Sequence, residues 1–61
     1  MNAERLTWER ANVDFIRSAG GRFDLMFSHV EQTWIAYDWD KGSRRPFPTL
    51  AEAQLWCQKQ A

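Results

Sequence analysis

The chain has 61 residues, room for a single domain over residues 1–61 whose small core needs help from aromatic packing or self-association. A lone cysteine, Cys57, excludes an internal disulfide, and with a lone histidine, His29, it cannot complete a closed tetrahedral zinc site, so no metal or cofactor is expected. Eight Lys plus Arg balance eight Asp plus Glu, which argues against a dedicated duplex-DNA binder. No apolar run is long enough for a signal peptide or membrane span, so the expected setting is the cytoplasm, with no membrane partner.

In chain order, residues 2–19 read two ways. As a helix, Trp8, Ala11, Phe15 and Ala19 line one face, Arg5/Glu9 and Arg10/Asp14 pair four residues apart, and Gly20 closes the end. As strands, Leu6 and Trp8 alternate, then Val13 and Phe15, around a turn at Ala11-Asn12. Gly20-Gly21 is a turn without the context of a phosphate loop. After it, Phe23, Leu25 and Phe27 alternate with Arg22, Asp24, Met26 and Ser28, the period of a half-buried strand.

A turn near Glu31-Gln32 leads into TWIAYDWDKG, with Trp34 and Ala36 on one face and Ile35, Tyr37 and Trp39 on the other. Asp40-Lys41-Gly42 ends that strand, Gly42 being suited to positive φ. Ser43–Phe47 can return as a short edge strand, since Pro46 cannot donate to a central ladder. Thr49 is placed as an N-cap with Glu52 three residues on, a capping box opening a helix over Ala51–Gln60. Leu50, Ala53, Trp56 and Cys57 form its apolar face.

Four stretches carry a resemblance: W-x-R (Trp8, Arg10), F-x-R-S-x-G-G-R-F (Phe15 to Phe23), W-x-A-Y-D (Trp34 to Asp38) and F-P-T-L-A-E-A-x-x-W (Phe47 to Trp56). Together they resemble small phage- and prophage-encoded proteins in which short antiparallel strands precede one C-terminal helix. The last part is also similar to the sheet-plus-helix of integrase arm-binding domains, although the strands here lack those domains' basic character. The resemblance implies strands in the N-terminal part. The expected class is α+β, a small antiparallel sheet of three to five strands packed on one C-terminal helix. The alternative is an additional N-terminal helix, α-β-β-α.

Chemistry is sparse. A nucleophile needs an adjacent base, and Cys57 reads as a packed small hydrophobe and His29 as a surface residue, so no enzyme is expected. Asp38 and Asp40 share a strand face and read as solvated charge. The stronger signal is surplus aromatic surface. One helix covers one sheet face, assigned to Phe23, Leu25, Phe27, Trp34 and Ala36 under Leu50, Ala53 and Trp56. Unless residues 2–19 form a helix over it, the opposite face presents Ile35, Tyr37 and Trp39 beside Met26, with Lys41, Arg44 and Arg45 as a basic group in the neighbouring loop. Clustered aromatics with Met and Arg are the composition of interface cores. The expected function is a non-enzymatic protein-binding protein, of the host-inhibiting (anti-CRISPR-like) kind that its resemblance to phage proteins implies. Its partner would be a host or phage protein complex in the host cytoplasm, with homodimerisation a competing use of the face. The alternative is a small nucleic-acid-binding or regulatory module, because aromatics beside cations also stack single-stranded bases.

Overall fold

A computed structural model describes residues 6–61. Five strands precede one helix: β1 (Trp8–Asn12), β2 (Phe15–Ser18), β3 (Phe23–Ser28), β4 (Thr33–Asp38), β5 (Ser43–Phe47) and α1 (Leu50–Gln60). The strands form one antiparallel meander in the order β1-β2-β3-β4-β5, and α1 packs on β3, β4 and β5. The fold is the α+β sheet-plus-helix expected from the sequence.

Short turns make the meander possible. Gly20 and Gly21 link β2 to β3 at φ 90° and 80°, values that cost a side-chain-bearing residue. The Gly21 N–H donates to the Ser18 carbonyl at 2.9 Å. Gly42 takes positive φ between β4 and β5, as its place after Asp40-Lys41 predicts.

Over the described residues the N-terminal segment follows the strand reading, with its turn displaced, and not the helical one. No helix forms over residues 6–19, and the Arg5 half of the Arg5/Glu9 pair, with the rest of residues 2–5, lies outside the described residues. As strands, these residues supply the hydrogen-bonding edge that β3 would otherwise leave open. The β1–β2 turn sits at Val13-Asp14 rather than Ala11-Asn12. The Asn12 side chain accepts the Asp14 N–H at 2.8 Å, and a bulge at Ala11 absorbs the extra residue as the register passes from Arg10↔Ile16 to Asn12↔Phe15. Val13 is thereby pushed to an exposed turn tip.

The core lies between the sheet and α1. Ile16, Phe23, Leu25 and Ala36 from the sheet meet Ala53 and Cys57 from the helix, ringed by Leu6, Trp8, Trp34, Phe47, Leu50 and Trp56. Ala36, fully buried and pairing with Leu25, leaves the room that lets the helix approach. Thr49 caps α1 as expected: its hydroxyl accepts the Glu52 N–H at 3.2 Å and donates to the Glu52 carboxylate at 3.1 Å. The Leu6 N–H donates to Gln58 Oε1 at 2.8 Å, tying the chain before β1 to the helix.

One acidic residue contradicts its sequence reading. Asp38 is fully buried rather than solvated, because β4 alternation sends it to the helix side opposite Phe23. Arg22 satisfies both of its oxygens, Nε at 3.1 Å and a terminal nitrogen at 3.2 Å, while the backbone N–H groups of Asp40 and Lys41 donate to Oδ1. The Arg22 bonds hold the Asp38 carboxyl below the usual aspartate range against the opposing effect of burial. Arg22 therefore turns away from the face that strict alternation would give it, and its guanidinium carbon lies 4.7 Å from the Phe23 ring centroid.

Candidate functional site: an uncovered sheet face

The helix covers one side of the sheet, and no described element covers the other. Register sorts that second face into two cross-strand rows. One runs Glu9–Arg17–Asp24–Tyr37–Arg44 across all five strands. The other runs Asn12–Phe15–Met26–Ile35–Pro46. The first is polar and aromatic, the second largely apolar.

The centre of the face is tightly tied. Trp39, just past β4, lies back along Tyr37 in a stack with ring centroids 5.3 Å apart and planes 4° off parallel. Its indole Nε1 donates to Asp24 Oδ2 at 2.8 Å. Arg17 grips the same carboxylate from the other side, Nε to Oδ1 at 2.8 Å and a terminal nitrogen to Oδ2 at 3.2 Å. The Arg17 bonds are the main cause holding the Asp24 carboxyl below the usual range; burial opposes them and the indole bond assists. Asp24 is thus a neutralised anchor for two side chains. Arg44 extends the group, its guanidinium carbon 5.9 Å from the Tyr37 ring centroid, and Arg17 lies 5.5 Å from that of Phe15. Planar groups pre-ordered in this way lose little freedom when a partner arrives.

The residues proposed from sequence fall into three sets. Met26, Tyr37 and Trp39 come together on this face as expected, with Trp39 58% exposed and Met26 41%, and Arg44 joins them from β5 rather than from a loop. Ile35 belongs to the face but is only 3% exposed, flanked across the strands by Met26 and Pro46, so it forms the floor and offers little contact area. The basic group is split. Ser43–Phe47 is a strand, so Arg44 and Arg45 point to opposite sides of it, and Lys41 sits in the β4–β5 turn. Phe15, Arg17 and Asp24 went unrecognised as site residues, although Asp24 was already assigned to the Met26 side of β3.

Elsewhere the chemistry is muted. Burial, and secondarily the charge of Asp38, pushes the Cys57 thiol up to about 12, which leaves it protonated at neutral pH and sealed in the core. His29 is exposed as expected, and its Nε2 lies 2.7 Å from Asp14 Oδ2, joining the β3–β4 and β1–β2 turns. Among the described residues no group of three or more His, Cys, Asp or Glu side chains is placed to hold a metal ion. No helix there is long and apolar enough to cross a membrane. An open groove of about 220 Å³ runs between β5 and α1, lined by Phe47, Glu52, Leu55, Trp56 and Lys59.

Fold and face together define a five-stranded meander with one covering helix and one bare aromatic face. Comparison of the chain with protein-family models, curated proteins and solved structures gave no match.

Proposed function

We propose that this chain is a non-enzymatic protein-binding module that docks on a macromolecular partner through the sheet face opposite its helix. The observation that carries the reading is the Tyr37–Trp39 stack, held on Asp24 and left half-exposed with no described element above it. Large rings fixed in place, bordered by Met26 and two arginines, supply what binding hot spots are made of. Tyr37 and Trp39 act as anchors, Phe15 and Met26 fill around them, and Arg17 and Arg44 contribute charge at the margin. In keeping with the resemblance to phage and prophage proteins, the partner is a host or phage protein complex in the host cytoplasm, and docking inhibits it, as in anti-CRISPR-like proteins. The test is affinity capture from host lysate, with the wild-type chain and Trp39→Ala compared at matched folding. A partner held by both equally would exclude this face.

A second reading, single-stranded nucleic-acid binding, draws on one arrangement: stacked rings with Arg44 beside Tyr37. Against it stand the Arg17–Asp24 pairing and the separation of Arg44 from Arg45. Oligonucleotide binding at two salt concentrations decides it. Affinity that falls steeply with salt and vanishes in Arg44→Ala with Arg45→Ala supports nucleic acid. No binding at low salt removes the reading.

A further inference from the structure

The charge order along the polar row is self-complementary, and we infer from it that the uncovered face closes on a second copy of this chain about a two-fold axis parallel to the strands and aligned with β3. The row runs acidic, basic, acidic, aromatic, basic in Glu9, Arg17, Asp24, Tyr37 and Arg44. A two-fold axis along the strands reverses the strand order of the opposing sheet while keeping each row over itself. Glu9 of one copy then stands over Arg44 of the other, and this pairing occurs twice, as an isologous interface requires. Arg17 stands over the Tyr37–Trp39 stack, whose half-exposed indole offers it a cation–π surface. Asp24 meets its own copy on the axis with its charge already held by Arg17 and the indole.

The apolar row obeys the same operation. Phe15 faces Ile35, Met26 faces Met26, and Pro46 faces Asn12. The other simple two-fold, lying in the interface and perpendicular to the strands, would place each strand over itself. With its axis along the polar row, that arrangement sets Glu9 on Glu9 and Arg44 on Arg44, a costly stack of like charges. The strand-parallel axis also gives the aligned packing usual for facing sheets, about 10 Å apart. The area sets the strength. Five strands at roughly 4.8 Å spacing and about 17 Å length give a footprint of roughly 20 by 17 Å, about 340 Å² per copy, below the standard range of specific interfaces and in the range of weak, transient contacts. The dimer is therefore reversible, and a heterologous partner with better complementarity can displace the second copy.

Sedimentation equilibrium over a concentration series, with circular dichroism as the folding control, tests this. The wild-type mass should rise from 7.2 kDa towards twice that value. Glu9→Arg and Arg44→Glu should each weaken association by about tenfold or more, since each reverses a contact made twice. The double variant, Glu9→Arg with Arg44→Glu, should recover to within about threefold of wild type. Within one chain these positions are four strands apart, roughly 19 Å, too far to pair, so recovery reports contact between copies. Met26→Asp, which places two carboxylates on the axis, should abolish the dimer. A wild-type chain that stays monomeric at every concentration overturns the inference, as does a double variant no tighter than the single ones or a dimer indifferent to Met26→Asp. A monomeric wild type leaves heterologous docking on this face standing, because that reading is tested separately by partner capture.

Discussion

Replacing Asp38 with alanine is the most severe polar change the structure identifies. The carboxylate is fully buried between β4 and the helix, where it accepts two bonds from Arg22 and one from each of the Asp40 and Lys41 N–H groups. Truncation leaves the guanidinium and two turn N–H groups without their acceptor. Breaking a buried pair from one side costs about 3–5 kcal/mol. The Arg22 side chain is 30% exposed and regains some water, which sets the loss at about 3 kcal/mol, whereas a domain of this length has roughly 3–9 kcal/mol in all. Asp38→Ala should therefore lose about a third or more of the folding free energy, read as the shift of a urea transition at pH 7. Asp38→Asn keeps an acceptor for the turn but gives up the charge, and should fall between the two.

The pH dependence supplies an independent check. The folded-state value of Asp38 lies below its unfolded one, so its stabilisation is fully present above about pH 4 and is lost as pH falls through the lowered value. Asp38→Asn lacks that contribution at every pH, so its gap from wild type should narrow below about pH 4. An Asp38→Ala variant within about 1 kcal/mol of wild type at pH 7, the scale of an ordinary surface change, would refute the buried pair.

Other substitutions separate face from core. Trp39→Ala removes a stack and one indole hydrogen bond at a half-exposed site, so it should cost only about 1–2 kcal/mol by urea denaturation while weakening partner binding. Trp56→Ala opens the helix–sheet junction where its ring packs 5.8 Å from Phe47, and should cost about 3 kcal/mol in the same assay. Thr49→Ala removes the N-cap and should cost about 1 kcal/mol, with helix content reduced in far-UV dichroism. A Trp39 variant that unfolds, or a Trp56 variant as stable as wild type, would reverse the assignment of the two faces.

The helix was fully legible because its signals are local: Thr49 and Glu52 three residues apart, then an apolar stripe with no interruption. The two faces of β3 and β4 were legible for a similar reason, since alternation in a six-residue strand leaves little freedom. The β1–β2 turn was not, because both Asn12 and Asp14 suit a turn and the bulge at Ala11 shifts the phase by one residue. Arg17 and Phe15 were missed as site residues with it, since a face cannot be assigned to a segment whose period is undecided. Asp38 was misread because its partner, Arg22, lies 16 residues away in sequence, and no local pattern announces such a pair. Lys41, Arg44 and Arg45 look like one basic cluster on paper; the strand through Ser43–Phe47 turns neighbouring arginines to opposite sides.

Affinity capture with two variants beside the wild-type chain tests the docking face most directly: Met26→Asp on the bare face and Leu55→Asp on the exposed flank of the helix. The partner should be retained by wild type and Leu55→Asp and lost by Met26→Asp, all three chains being folded. Retention by Met26→Asp would contradict docking on the bare face, and loss by Leu55→Asp alone would move the binding surface to the helix groove.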